Sequence, residues 1–335
     1  MTTAALAYLY TAFGLRFRSD IPPSEAHDLD DNSSPGLPAD VEVTYGGLEA
    51  LWSELAGEDE AYVIQENFVL FLIENVARYL VRDGNRIIVS PIGNPPVEKL
   101  RLFLDGYAVS ALLLQRRVLP LHGSAIAIQG KAYAIVGQSG AGKSTLTRAF
   151  LEQGYSFLTD DVIPVSMPKD GSAPIVMPAL PEQKLWQECL PHFDLNGNSL
   201  SAIYEREVKR GDNAARRMKY AVAVDRLQRE ALPLGGIFEL VKEPAGEEHV
   251  SLHPIQKAEK FQALLQHTFH RALIPPLGLL EWHFESVTSL VREIPAYRVK
   301  RAPSVFTAHE LVELIVSHIG EGERNDCGIN IGQLR

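Results

Sequence analysis

The sequence predicts an α/β fold in which a mixed sheet carries a phosphate-binding loop and a smaller, mostly β N-terminal domain precedes it. Three observations point there. Gly137 to Ser144 reads Gly-Gln-Ser-Gly-Ala-Gly-Lys-Ser and meets G-x-x-x-x-G-K-[ST] at every fixed position. That loop lies between a compact apolar run at 131–136 and a segment of helical spacing at 145–153 that stops at Gly154. Ahead of Pro95 the chain breaks into short β-like runs separated by turn residues.

Composition narrows the class further. A chain of 335 residues accommodates two domains of roughly 100–200 residues. The expected division is an N-terminal domain over 1–98, an ATP-binding catalytic domain over 99–320 and a loose tail over 321–335. Hydrophobic content of 46% and charged content of 22% describe an ordinary globular protein and exclude disorder as its theme. A net charge of −10 offers no global basic field, so no nucleic-acid partner is expected. Cys189 and Cys327 have neither metal-ligand spacing nor the number for a disulfide framework, which suits a reducing cytoplasm. The N-terminus places Arg16 and Arg18 after its apolar part, unlike a signal peptide. No apolar run approaches the ~20 residues of a membrane span, so no membrane association is expected. Oligomeric state is left open, a homo-oligomer included.

In order, residues 6–19 alternate around Gly14 and predict a strand, and the Pro-, Ser- and Asp-rich stretch from Ser19 to Asp40 predicts a surface loop. Strands follow at 41–45, 61–65, 68–73, 77–81 and 86–89, with Trp52 expected in their core. Helical spacing over 99–116 leads through Pro120 to His122-Gly123. A hairpin at 124–128 and 131–136, turning at Gln129-Gly130, delivers the chain into the loop, so the sheet cannot be purely parallel. After the loop helix, a strand at 155–159 ends in Asp160-Asp161, and a hairpin spans 162–167 and 174–177. A helix is expected at 181–190. The polar segment 196–217, basic at Lys209, Arg210, Arg216 and Arg217, reads as a solvated loop or as a flap that closes positive charge over phosphate. Strands at 219–224, 235–240 and 296–300 alternate with helices at 255–271, 279–291 and 307–319, the last opened by a capping box from Thr307 to Glu310.

The loop prescribes chemistry. Backbone N–H groups of Gly137, Gln138, Ser139, Gly140, Ala141, Gly142, Lys143, Ser144 and Thr145 converge on phosphate oxygens, aided by the positive end of the new helix. Lys143 supplies a point charge for the β- and γ-phosphates of ATP, and the Ser144 hydroxyl suits Mg²⁺. Asp160 and Asp161, at a strand end just past the loop helix, bring carboxylates to the same place.

His122, the loop and Asp160-Asp161 together resemble the catalytic domain of HPr kinase/phosphorylase over roughly residues 106–320, most strongly over 121–165. The resemblance implies a fold like that of phosphoenolpyruvate carboxykinase. It also implies an ATP- and Mg²⁺-dependent serine kinase in which Asp160 is the catalytic base, Asp161 and Ser144 hold the metal, and His122 orients Asp160 or donates to phosphate. The family's downstream Glu-Ile/Val-Arg-Gly-x-Gly signature is not met, since Glu207-Val-Lys-Arg-Gly211 is one residue too long. The N-terminus from Tyr10 to Ile21 looks like the stand-alone HPr-kinase-like proteins of lasso peptide biosynthesis. That likeness implies a precursor peptide, phosphorylated near its C-terminal end, as partner. Lys184, Arg206, Lys209 and Arg217 are further candidates for stabilising transferred charge. The rivals are an ATPase switch and a nucleotide-dependent scaffold. An ABC-type ATPase is disfavoured by the lack of a Leu-Ser-Gly-Gly segment.

Overall fold

The protein was analysed as a computed structural model that describes residues 7–24, 38–57, 60–168, 170–210, 213–242, 249–302 and 306–327. Most of the expected surface loop, 25–37, the end of the tail, 328–335, and the side chains of Lys209 and Arg210 lie outside the described residues.

The first sheet begins with a hairpin of β1 (Tyr8–Ala12) and β2 (Leu15–Ser19). A single strand was expected there, but Phe13 and Gly14 take left-handed φ values of 57° and 71° and reverse the chain. β3 (Val41–Tyr45) is followed by the short helix α1 (Glu49–Leu55), which hydrophobic periodicity does not announce. β4 (Tyr62–Gln65), β5 (Phe68–Ile73), β6 (Ala77–Arg82) and β7 (Arg86–Pro91) complete the order β1-β2-β3-β7-β6-β5-β4. Only β2–β3 and β3–β7 pair in parallel. On one face Leu51 and Trp52 pack with Leu70 and Leu80. Phe17, Val43, Phe71 and Tyr79 bury into a cluster with the helix over 97–115. That helix consists of α2 (Val97–Phe103), a π-helical turn at Leu104–Ala108 and α3 (Val109–Gln115). Its Leu100, Leu104 and Leu112 complete the first sheet's core, and the Tyr79 hydroxyl donates to the Leu100 carbonyl at 3.0 Å.

β8 (Leu119–Ile128) and β9 (Lys131–Val136) form the expected antiparallel hairpin, with left-handed Gln129 and Gly130 at its tip. Glycine is required at 123 because a Cβ there would lie 2.2 Å from the Ile135 carbonyl oxygen. After α4 (Lys143–Glu152), β10 (Ser156–Thr159) and β11 (Val162–Ser166) both run antiparallel to β8, with the Asp pair at the break between them. Next come β12 (Ile175–Val176), β13 (Glu182–Trp186), β14 (Ser201–Arg210) and β15 (Asn213–Ala223). The chain closes with β16 (Leu232–Lys242), β17 (Ser251–Pro254), α5 (Lys257–His267), α6 (Leu280–Glu293), β18 (Ala296–Arg301) and α7 (Ala308–Cys327).

The second sheet is mixed. β9–β16 and β16–β18 are parallel and its other pairs antiparallel, and the pairings β8-β9-β16-β12-β11 close back on β8. Leu146 and Phe150 of α4 pack with Leu311, Val312 and Ile315 of α7 in one core cluster. Leu264 of α5 and Val287 and Leu290 of α6 belong to another. The protein is therefore a mixed α/β structure, and among the described residues no helix is long and apolar enough to cross a membrane.

Further expectations need correction. The stretch read as a helix at 181–190 is β13 followed by a 3₁₀ helix, Gln187–Phe193, that contains Pro191. The polar stretch 196–217 is largely strand among its described residues: after a 3₁₀ turn at Gly197–Ser199, β14 and β15 pair with each other, and β15 pairs with β13, in a three-stranded sheet. The capping box at Thr307 is not made, since the Thr307 Oγ1 is buried with no hydrogen-bond partner among the described residues. α7 also continues to Cys327, past the expected end at 319.

Candidate active site

The parallel strands β9, β16 and β18 point their carboxyl ends at one place. The phosphate loop follows β9, Lys242 ends β16 and Arg301 ends β18. Ser139, Gly140, Gly142, Lys143, Ser144, Thr145, Lys242 and Arg301 line a cavity of about 350 Å³ with His122, Asp160, Asp161, Trp186, Arg217 and Lys219. Gly142 has φ 107°, a left-handed value that an L side chain rarely adopts, and it launches α4. The Arg301 Nε donates to the Ala141 carbonyl at 2.7 Å and braces the loop from a position 160 residues downstream. The Lys143 Nζ donates to the carbonyls of Gly137 at 2.9 Å and Gln138 at 3.2 Å. Burial lowers its pKa against the opposing pull of Asp160 and Asp161.

Each carboxylate has its own neighbourhood. Asp160 Oδ1 accepts from Ser124 Oγ at 2.6 Å and from Ser144 Oγ at 3.1 Å, and Oδ2 accepts the Lys184 backbone N–H at 2.8 Å. Asp161 sits in the left-handed region with φ 74°, and its Oδ2 accepts from Lys184 Nζ at 3.2 Å. Burial would raise the Asp161 carboxyl, but Lys184 and Lys219 hold it well below the usual carboxylate range. Burial also works against the Lys184 charge, and there Asp161, Asp105 and Glu182 prevail and raise its pKa.

His122 stands against Asp161, not against Asp160 as expected, because Val162 pairs with His122 in the β8–β11 register. Its Nδ1 faces the Asp161 carbonyl oxygen at 3.2 Å and its Oδ1 at 3.8 Å. A carbonyl can only accept, so Nδ1 carries the proton. Burial and the charge of Lys143 lower the ring's pKa to about 4, which leaves it neutral at pH 7. The ring stacks on Phe269, 5.0 Å between centroids.

The structure thus gathers His122, the loop, both aspartates, Lys184 and Arg217. Arg206 is exposed on β14 and does not line the cavity. Arg217 lies over the Trp186 ring at 4.7 Å and pairs with Glu188, and Lys219 stands beside the same ring. Lys219, Lys242, Arg301 and Trp186 were not singled out as site residues in the sequence. A signal exists for two of them: cations at the carboxyl ends of strands parallel to the loop strand. Asp105, on the π-helical turn, was missed as well, and burial raises its carboxyl to about 7 against the pull of Lys184. A Cβ on the adjacent Gly106 would lie 3.5 Å from Asp161 Oδ2, so the turn brings bare backbone up to the site.

No protein-family model and no curated protein matches the chain. Among solved structures, the Hpr(Ser) kinase/phosphatase from Coxiella burnetii is similar at 14% identity, covering 61% of this chain and 98% of that one with a TM-score of 0.31. An overlap that loose carries no argument about fold or chemistry, which rest here on the geometry above.

Proposed function

We propose that the protein is an ATP- and Mg²⁺-dependent kinase of the HPr kinase-like type, transferring the γ-phosphoryl group to a serine hydroxyl of a peptide. A lasso precursor peptide is the acceptor that the sequence resemblance implies. The observation that carries this reading is the Ser144 hydroxyl, 3.1 Å from Asp160 at the foot of the phosphate loop, with Asp161 one residue farther on beside Lys184 and His122. A hydroxyl and a carboxylate are hard oxygen donors that suit Mg²⁺, an ion that takes one or two protein oxygens and fills its shell with phosphate and water. Bound there, Mg²⁺ would neutralise phosphate charge.

The chain's own residues do the rest by positioning and charge. Lys143 and the loop amides hold the phosphates. A carboxylate accepts the acceptor's proton as the serine Oγ attacks phosphorus and ADP leaves with the bond electrons. The sequence resemblance makes Asp160 that base, with Asp161 and Ser144 on the cation. The contacts favour a second division: Asp160, which shares the Ser144 hydroxyl, serves the cation, and Asp161, beside Lys184 and neutral His122, faces the acceptor. The N-terminal domain would hold the peptide.

Incubation with Mg²⁺-ATP and a candidate precursor peptide, followed by weighing the peptide, tests the activity. ATP turnover without phosphopeptide would replace the kinase with a hydrolytic switch. Mg²⁺ titrations on Asp160→Asn and Asp161→Asn then separate the roles. The cation-side variant shifts the metal midpoint, and the base variant binds nucleotide normally while transfer falls by about 10²-fold.

A further inference from the structure

The first sheet ends at β4, a strand that pairs with β5 alone among the described residues. Its sequence, Tyr-Val-Ile-Gln, carries none of the Lys, Pro or inward charge that usually guards a sheet edge. The Leu72 N–H donates to the Ala61 carbonyl at 3.1 Å, which makes the pair just ahead of the strand a hydrogen-bonded one. Such pairs alternate in an antiparallel ladder, so Val63 and Gln65 turn their main-chain groups toward β5. Tyr62 and Ile64 turn theirs outward, one N–H and one C=O each, and that is the template a further strand needs.

Tyr79, Phe71 and Tyr62 stand directly opposite one another on β6, β5 and β4, and their rings form a row with centroids 5.0 Å and 6.1 Å apart. The row runs out into solvent: Tyr79 is fully buried, whereas Tyr62 is 39% exposed. An apolar or aromatic side chain on an added strand would continue it, as cross-strand pairs do within a sheet. From Phe71 the rings also lead inward, to Tyr107 at 6.3 Å, then Phe269 at 6.1 Å, then His122 at 5.0 Å, beside Asp161. A chain laid along β4 is thereby tied through packed rings to the carboxylate site. Exposed Glu60 and Glu66 flank the strand, which suits basic residues toward the ends of whatever lies there.

We infer that β4 is the docking edge for the acceptor peptide, which adds there as an extended strand with an apolar or aromatic residue beside Tyr62 and basic residues toward its ends. The inference rests on the peptide-kinase reading and adds where the peptide is held away from its serine, and by which main-chain groups.

The test uses the full chain and a candidate precursor peptide, whole and cut to the few residues around its serine. Ile64→Pro removes an outward N–H and spares the bonds to β5, since Pro is tolerated on an edge where its nitrogen faces away. Tyr62→Thr removes the ring and keeps a residue that favours strand. Each should weaken calorimetric binding of the whole peptide and raise its KM by about 5–10-fold with kcat unchanged, the signature of lost uniform binding. The cut peptide should be phosphorylated alike by all three proteins, and unchanged Mg²⁺-ATP affinity checks that the variants are folded. Unchanged binding of the whole peptide in both variants, matched losses of the two peptides, or no binding of the whole peptide to the unaltered protein would overturn the inference. Self-association that the two variants abolish would overturn it as well, by giving the edge to a second copy of the chain. Whole peptide that binds, loses affinity in the variants and is never phosphorylated would keep the docking edge and remove the kinase reading beneath it.

Discussion

The two larger sheets bury different kinds of side chain. In the first, with the helix over 97–115 that completes its core, the buried polar groups among the described residues are Ser19, Ser24, Ser90 and Ser110, all uncharged, and Phe71 and Tyr79 stack at 5.0 Å. Around the second, Lys143, Lys184, Glu239, Lys260, His267 and His283 are all buried. Desolvating a charge is costly unless it is paired or hydrogen-bonded: Lys184 is paired with Asp161, and Glu239 with His267 at 3.0 Å and Arg298 at 2.9 Å, while Lys143 and Lys260 donate to backbone carbonyls. One region is organised for packing; the other accepts electrostatic cost in order to hold charges where solvent would otherwise scatter them.

The contrast predicts where each kind of substitution hurts. Phe71→Ala should cost about 3–5 kcal/mol in a denaturant titration, yet the folded fraction should bind nucleotide with unchanged affinity. An affinity change would mean that the contact from Phe71 through Tyr107 and Phe269 to His122 transmits packing into the site. Lys143→Ala should do the reverse, lowering phosphopeptide formation by about 10²–10³-fold with a small shift in thermal midpoint. An unchanged rate would remove the loop from the chemistry.

A subtler divide concerns Asp105, where the first core meets the second. Its carboxyl is raised from 3.8 to about 7 by burial, so between those values the folded chain retains a proton that the unfolded chain releases. Wild-type stability should therefore fall as pH rises through that window, with the full penalty above about pH 7. Asp105→Asn should stabilise by on the order of 2–4 kcal/mol at pH 8 and hardly at all at pH 4, read as thermal midpoints of both proteins at the two pH values. A gain that did not depend on pH would assign the effect to packing. Smallest of all, Glu42→Ala breaks an exposed 3.4 Å pair with Arg86 and should change stability by less than about 1 kcal/mol.

Local order was the legible part of this chain. The loop, its flanking strand and helix, the His122-Gly123 pair and the Gln129-Gly130 turn all lie within a short span, where residue type and neighbours dictate conformation. Legibility fails where a distant partner decides. Residues 183–185 look helical by spacing, but the Gln183 Nε2 donates to the Ser144 carbonyl at 2.8 Å and the Lys184 N–H to Asp160, and these contacts favour an extended edge strand. Arg301 reads as one more surface cation until the parallel pairing of β16 and β18 carries it to the loop. The neighbours of the Asp pair were hidden for a related reason. Strand alternation would send their side chains to opposite faces, whereas left-handed Asp161 breaks the strand there.

The π-helical turn at Leu104–Ala108 makes chain length itself a constraint. α2 is anchored by the bond between Tyr79 and Leu100, and α3 by Ser110 Oγ at 2.9 Å from His270 Nδ1, so both ends of the 97–115 helix are pinned. An i→i+5 turn takes up one residue more than an α turn, so deleting one residue there would restore regular winding with both anchored ends still facing their partners. What is lost is the bulge itself, and with it the approach of Gly106 to Asp161. A deletion scan over 104–108 should accordingly cost activity more than stability, whereas an alanine scan of the same positions keeps the bulge: the information held there is a count of residues, which substitution leaves untouched.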